Sequence, residues 1–178
     1  MRSELLPERH RWHRVADPTW ADPLDPDFAA DDGGRWNPPG SFAVLYLNQD
    51  LVTARLNVRL FALEWPYAPE DLREENAPVL LSVTLPRQQR VLDAHSPAGV
   101  AEVGLPASYP EDSSGTLVTH RTCQGIGEAA HAAGLRGVRC RSARSPLGAG
   151  RELAWFPATV RSRARLVHRA SFSEWFYA

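Results

Sequence analysis

The trio Arg35-Trp36-Asn37 is the clearest candidate for binding chemistry in this sequence. It combines a basic, an aromatic and an amide side chain between Gly33-Gly34 and Pro38-Pro39-Gly40, so it is predicted to lie on a loop, where binding groups are often found. The 20 strongly basic residues are all arginine, which excludes a lysine Schiff base and a P-loop lysine. Arginine forks or backbone amides must therefore hold any bound anion.

The segment Gly125-Ile126-Gly127-Glu128-Ala129-Ala130 has the letters of a dinucleotide-binding fingerprint without its context. That fingerprint needs a strand leading directly into the glycines and an acid on the following strand to bind ribose. The following strand candidate carries Arg139 and Arg141 instead. We therefore expect these glycines to allow close helix packing.

Four soft metal ligands, His120, Cys123, His131 and Cys140, fall close together in the chain. On a helix, Cys123 and His131 would lie about 12 Å apart along the axis, too far to share one zinc ion. We expect no metal site. We also expect reduced thiols, because a chain of 178 residues forms a core without a disulfide.

Charge is divided unevenly along the chain. Residues 1–112 hold 18 acids and 10 arginines, whereas residues 113–178 hold 3 acids and 10 arginines. Two interpretations stay open: the two parts pack with complementary charge, or the second part presents a basic face to phosphates, nucleotide or RNA. Arg161, Arg163 and Arg165 alternate, so on a strand they would share one face, as a charged guard on a sheet edge or as phosphate contacts.

Four sequence blocks, taken in order, resemble those of the RES domain family. They are Gly33-Gly34-Arg35-Trp36-Asn37-Pro38-Pro39-Gly40, Val44-Leu45-Tyr46-Leu47, Gln124-Gly125-Ile126-Gly127 and Gly137-Val138-Arg139-Cys140-Arg141-Ser142-Ala143. The resemblance runs from about residue 13 to residue 156. It implies a fold similar to ADP-ribosyltransferases of the diphtheria-toxin kind, and the function of a toxin, from a bacterial toxin–antitoxin pair, that destroys NAD.

The resemblance also implies roles for individual residues. Arg35 matches the family's arginine and would anchor NAD, with Trp36 and Asn37 beside it. Tyr46, 11 residues later, matches a tyrosine that would orient nicotinamide, and Ser142 matches a serine that would hydrogen-bond near the reacting ribose. Each residue also has a structural alternative. Arg35 could form an ion pair with Asp31 or Asp32, and Tyr46 could be a core residue. Ser142 could be an ordinary strand residue, and Trp36 and Asn37 could brace the loop.

Asn57 stands where the family pattern calls for glutamate, 11 residues after Tyr46. Cleavage of the nicotinamide bond develops an oxocarbenium-like charge that a carboxylate stabilises, whereas asparagine offers hydrogen bonds without charge. Asp50 and Glu64 are each seven residues from Asn57, which is about 10 Å along a helix, so neither is expected to reach the ribose.

The resemblance leaves three functions open. The first is cleavage of the nicotinamide N-glycosidic bond of NAD by water or phosphate, with a catalytic set of Arg35, Tyr46, Asn57 and Ser142. The second is a weakly active or inactive relative that binds a nucleotide or a partner, because of Asn57. The third is ADP-ribosyl transfer to protein or RNA. The partners to expect are NAD, a cognate antitoxin and a second copy of the chain, with no membrane and no nucleic acid.

Periodicity and turn signals predict the elements that position these residues. Strand candidates cover residues 42–47, 79–85, 90–92, 137–143, 153–156 and 166–169. A helix capped by Asn48 or Asp50 is predicted to reach about residue 64, and a second to run from Thr122 to Ala133 with Gly134 as its C-cap. The first helix carries an apolar stripe of the kind that faces a core, formed by Val52, Leu56, Leu60 and Leu63.

The remaining segments complete a prediction of one α+β domain over residues 1–178, with the motif blocks at about 13–156. Residues 95–120 are rich in Pro, Gly, Ser and acids and predict a flap or a disordered segment, and residues 157–178 hold a strand and an aromatic tail. The longest apolar run has six residues, and no signal peptide is visible at the start, so a cytoplasmic protein is expected.

Overall fold

The computed structural model describes residues 1–145 and 148–178, and its eight described strands form one sheet. The strands are β1 (Ser3–Leu5), β2 (Trp12–Ala16), β3 (Leu45–Asn48), β4 (Val79–Thr84), β5 (Arg90–Ala94), β6 (Gly137–Arg141), β7 (Arg151–Trp155) and β8 (Arg165–Ala170). Their order in the sheet is β1-β5-β6-β7-β3-β2-β4-β8. Only β5 and β6 pair in parallel among these strands, so the α+β prediction is confirmed.

The described residues also form two longer α-helices and three short ones. They are α1 (Phe28–Asp32), α2 (Leu51–Ala62), α3 (Pro97–Glu102), α4 (His120–Ala132) and α5 (Phe172–Phe176). The Asp50 carboxylate caps α2 by accepting a hydrogen bond from the Thr53 amide at 2.7 Å, as the sequence predicted. The cap of α4 is Thr119 rather than Thr122.

The sheet curls around its own core. Val83 of β4 and Val91 of β5 belong to one buried cluster, although these strands are far apart in the sheet order. Trp12, Leu45 and Trp155 fill the same cluster. On the helix-covered face, the cluster beneath α4 and the cluster between α2, α5 and β4 are separate, which leaves room for a cleft between them.

The predicted apolar stripe of α2 is not its buried face. Val52 is 63% exposed and Leu63 is 80% exposed, whereas Thr53, Ala54 and Val58 are buried. The smaller side chains allow the helix to approach β2 and β3 closely, and the bulkier stripe is left at the surface. The periodicity of the apolar residues predicted the helix but not which of its sides packs against β2 and β3.

Residues 95–120 are not a flap. They contain α3, and Val100, Leu105, Tyr109 and Val118 are buried in the cluster beneath α4. The Arg141 guanidinium donates hydrogen bonds to the carbonyl oxygens of His95, Ala107 and Tyr109 at 2.8–2.9 Å. The segment is polar in composition, but its few apolar residues are placed inward.

The structure differs from the sequence-based prediction in three further details. The strand candidate at 42–47 begins later, at Leu45, and the aromatic tail is the helix α5, whose Phe172 and Trp175 are buried. Arg161 and Arg163 do not share a strand face with Arg165, because β8 begins only at Arg165.

Both cysteines are buried free thiols. None of the helices within the described ranges is long and apolar enough to cross a membrane.

Candidate active site

The loop at residues 33–40 is shaped by its glycines. Gly33 has a φ of +73°, and a Cβ atom there would lie 2.6 Å from the Pro39 nitrogen, so a larger residue would strain the turn. The Gly34 amide donates to the Asn37 carbonyl at 2.9 Å, which closes the turn around Arg35 and Trp36.

Tyr46 holds this loop through its hydroxyl. The Tyr46 hydroxyl accepts a hydrogen bond from the Trp36 amide at 2.9 Å and donates one to Asn37 Oδ1 at 2.8 Å. Asn37 Nδ2 donates to the carbonyl of Ala29. Burial raises the pKa of Tyr46 well above its ordinary value, so the hydroxyl remains a donor at neutral pH.

Trp36 and Asn37 therefore brace the loop. Trp36 is 1% exposed and Asn37 is 0% exposed. Of the two interpretations that the sequence left open for these residues, the bracing role fits this geometry, and direct contact of the Asn37 side chain with a ligand does not.

Helix α4 clamps the loop from the other side. Gln124 Nε2 donates to the Gly34 carbonyl at 2.9 Å. A Cβ atom on Gly127 would lie 1.8 Å from the Trp36 carbonyl oxygen, so only glycine permits this approach. Gly127 thus serves helix packing, as expected, whereas a Cβ atom on Gly125 would meet nothing within 4 Å. Among its described strands, the sheet lacks the parallel arrangement of a dinucleotide-binding fold.

Arg35 points along α4 rather than toward α1. Its Nη1 donates to the Val118 carbonyl at 2.9 Å and contacts Cys123 Sγ at 3.9 Å. Among the residues that the structure describes, Arg35 has no ion pair, so the expected alternative of a pair with Asp31 or Asp32 is absent. Its guanidinium keeps donors available to an anion.

Asn57 lies beside a carboxylate that comes from the opposite part of the chain. Asn57 Nδ2 donates to Glu152 Oε1 and to Asn48 Oδ1, each at 2.7 Å. The Ser142 hydroxyl lies 2.8 Å from Glu152 Oε1 and 3.0 Å from Asn57 Oδ1. Ser142 is fully buried, so it positions the other two side chains from behind.

Asn48, Asn57 and Glu152 border one cleft made of two adjoining hollows of about 590 and 430 Å³, and Ser142 lies behind its wall. Arg14, Tyr46, Arg144 and Glu152 line both hollows. The larger one adds Asn57 and aromatic side chains, whereas the smaller adds Arg35. We call this space the cleft.

The described lining of the cleft holds three arginines, Arg14, Arg35 and Arg144, and three carboxylates, Asp17, Asp25 and Glu152. Burial lowers the pKa of Arg14. Its Nε has no hydrogen-bond partner among the described residues, and its Nη1 donates to the Tyr46 carbonyl at 3.1 Å. The Arg144 guanidinium lies 4.4 Å from the centre of the Phe61 ring. Arg14, Arg35 and Arg144 can together bind two phosphate groups, with Glu152 left to face a developing positive charge.

Sequence reasoning missed Glu152, Arg14 and Arg144. Asp50 and Glu64 are close to Asn57 in sequence, whereas Glu152, which lies beside it in the structure, is 95 residues away. One signal was present in the sequence: Glu152 is one of only three acids in residues 113–178, and it lies ten residues after Ser142.

The described residues include one cluster that could hold a metal ion, formed by Glu4, Asp93 and His95. It is already joined by ion pairs, with Arg139 on Glu4 and Arg2 on Asp93, each at 3.1 Å. None of its three members lines the cleft.

Comparison with known proteins gives one family and one fold. A family model described as the RES domain matches residues 10–174. A solved structure, the MbcT–MbcA toxin–antitoxin complex of M. tuberculosis, contains a chain that superposes with a TM-score of 0.72 at 23% identity, covering 95% of this chain and 90% of that chain. At this identity the likeness shows the fold alone. No curated protein matches the sequence.

Proposed function

Because the chain belongs to the RES domain family, we propose that it is a toxin that cleaves the nicotinamide N-glycosidic bond of NAD, with Glu152 as the carboxylate beside the ribose. The observation that carries this proposal is the hydrogen-bonded group of Asn57, Ser142 and Glu152 at the wall of an arginine-lined cleft. Water or phosphate is the acceptor.

Glu152 supplies the charge that Asn57 lacks. As the nicotinamide leaves, positive charge develops on the ribose, and a fixed carboxylate stabilises it. Hydrogen bonds from Asn57 and Ser142 to one oxygen, Oε1, hold the carboxylate in place. Its other oxygen has no partner within the described part of the chain and is available to a ribose hydroxyl or to an attacking water.

The other side chains of the cleft suit the rest of the dinucleotide. Arg35 would bind a phosphate from the loop, and Arg14 and Arg144 would bind the second phosphate or a ribose from the opposite wall. The Tyr46 ring would contact the nicotinamide while its hydroxyl stays engaged with the loop. Asn57 and Ser142 act here as positioning residues.

We also propose a cognate antitoxin as the partner, since the similar solved chain comes from a toxin–antitoxin complex. The exposed apolar side chains of α2 give such a partner a surface: Leu60 is 41% exposed, and Phe61, which is 46% exposed, lines the cleft itself. A protein covering this helix would also block entry to the cleft.

Nicotinamide release from NAD, measured with and without phosphate, tests the catalytic proposal. Glu152→Gln retains the side chain's size but removes its charge, so we expect release to fall by about 10²- to 10⁴-fold with binding largely kept. Glu128→Gln, on the exposed surface of α4, is the matched control and should leave release unchanged. Equal rates for the wild type and Glu152→Gln would contradict the assignment of Glu152.

Calorimetry with NAD tests the binding part separately. Arg35→Ala should weaken binding by about 1–3 kcal/mol through loss of a charge-assisted contact, whereas Arg73→Ala, at an exposed position away from the cleft, should not. Binding of NAD without release of nicotinamide would favour the inactive relative. Release together with ADP-ribose on a macromolecule would favour transfer.

A further inference from the structure

Another hollow, separate from the cleft and at the other end of β2, is lined by arginine. It has a volume of about 580 Å³ and includes six arginines, Arg9, Arg11, Arg87, Arg161, Arg163 and Arg165. No acid occurs among its described lining residues, and none of those residues lines the cleft. We call it the arginine groove.

The charge of this groove is largely unbalanced. Arg163 pairs with Asp27 at 3.4 Å, and the other five arginines have no ion pair with any residue in the described ranges. Like charges gathered around one hollow repel one another, and the repulsion is relieved when an anion with several charges binds. The groove is therefore suited to a polyanion.

An open sheet edge runs into the groove. Strand β8 pairs with β4 on one side and with no other described strand, and its residues 165–169 are all exposed. Its outer N–H and C=O groups can accept another strand. A second copy of β8 is a poor partner, because antiparallel pairing would bring Arg165 of one copy toward Arg169 of the other.

We propose that the arginine groove and the edge of β8 bind an extended, acidic segment of a partner protein, which adds a ninth strand to the sheet. The positive charge of the groove repels a second copy of β8 but attracts an acidic segment. Leu85, Pro86 and Val167 add apolar contacts for alternate side chains, and no aromatic ring among the described lining residues is present to stack on nucleic-acid bases. The proposal is independent of the function of the cleft.

Titration of the full chain with a synthetic peptide of alternating glutamate and valine tests this surface. We expect binding that protects the outward-facing amides of residues 165–169 from hydrogen exchange. The double variant Arg11→Gln/Arg87→Gln should weaken binding by about tenfold, while Arg73→Gln/Arg121→Gln, with two exposed arginines outside the groove, should not. Melting curves would check that each variant folds.

Three comparison probes complete the design. A peptide with N-methylated amides on the pairing side should bind at least about tenfold more weakly, because it cannot pair with the edge. A peptide with glutamine in place of glutamate should also lose binding. The proposal is overturned if the glutamine peptide binds equally well, if single-stranded DNA of equal charge binds more tightly, or if the acidic peptide does not bind at millimolar concentration.

Discussion

In the proposed function, Glu152 and Asn57 share the chemistry that a single glutamate would otherwise perform. The carboxylate lies on β7 and the amide lies on α2, and a 2.7 Å hydrogen bond joins them. A neutral asparagine beside the carboxylate avoids a second negative charge and donates a hydrogen bond to Oε1. The position of the charge, rather than the identity of residue 57, is what the proposed cleft chemistry requires.

Variants that move the negative charge between positions 152 and 57 test whether its position matters. Asn57→Glu places two carboxylates side by side, so the pair would retain a proton and nicotinamide release should fall. In the double variant Asn57→Glu/Glu152→Gln the charge is moved across the same hydrogen bond, and release should recover by about tenfold over Glu152→Gln alone. Rates at several pH values would be measured. A rise in release with Asn57→Glu alone would show that position 57 needs the charge.

The loop at residues 33–40 depends on α4 for its position. Gln124 bonds its backbone, and Gly127 lets the helix contact the Trp36 carbonyl. A Cβ atom on Gly125, two residues earlier on the same helix, would meet no heavy atom of another element within 4 Å. The two glycines therefore differ in what faces them, which makes them a matched pair.

Alanine substitutions at these glycines should have opposite effects. Gly127→Ala should destabilise the protein by about 1–3 kcal/mol or more through overpacking against backbone, and should weaken NAD binding by displacing Arg35. Gly125→Ala should stabilise it by about 0.5–1 kcal/mol, since alanine is the better helix former. Urea unfolding of both variants provides the measurement. A loss of stability at Gly125 equal to that at Gly127 would mean that helix geometry, not the loop contact, determines both effects.

The arginines of the chain have two kinds of surroundings in the folded protein. Arg139 pairs with Glu4 at 3.1 Å and Arg163 with Asp27 at 3.4 Å, so the basic part does pack against the acidic part. The arginine groove and the cleft gather other arginines around open space, where they are accessible to ligands. The ion pairs fit the first interpretation of the sequence charge, and Arg163 belongs both to them and to the groove. Binding of phosphates, nucleotide or RNA to a basic face of residues 113–178 stays a prediction.

Acid should destabilise the folded chain through its histidines. Burial, together with the nearby His10, lowers the pKa of His13 below its ordinary value of 6.5, and burial lowers those of His120 and His131 as well. The unfolded chain then binds more protons, so stability is full above about pH 6.5 and falls as the pH drops below it. Thermal melts between pH 7.5 and 5 should show this loss.

A substitution identifies the source of the pH dependence. His13→Gln should flatten it in part, while His168→Gln, on the exposed edge strand, should not. The scan ends at pH 5 because carboxyl groups with lowered pKa, such as that of Glu4, contribute only as the pH falls below their ordinary value of 4.5. An unchanged profile for His13→Gln would exclude His13 as a source.

Local features of this protein could be predicted from its sequence. Turn chemistry placed Arg35 on a loop, Asp50 capped α2 as predicted, and the motif blocks identified the family. These features depend on neighbours within a few residues, and capping and turn preferences act over that range.

Three other features depend on tertiary packing: which side of α2 is buried, the inward packing of residues 95–120, and the meeting of Glu152 with Asn57 across 95 residues of chain. An apolar stripe shows that a helix has a face but not what covers it, and composition does not show where a few apolar residues point. The carboxylate reaches the cleft because β7 pairs with β3, which leads into α2, and such long-range pairing is set by the packing of the whole sheet rather than by local preference.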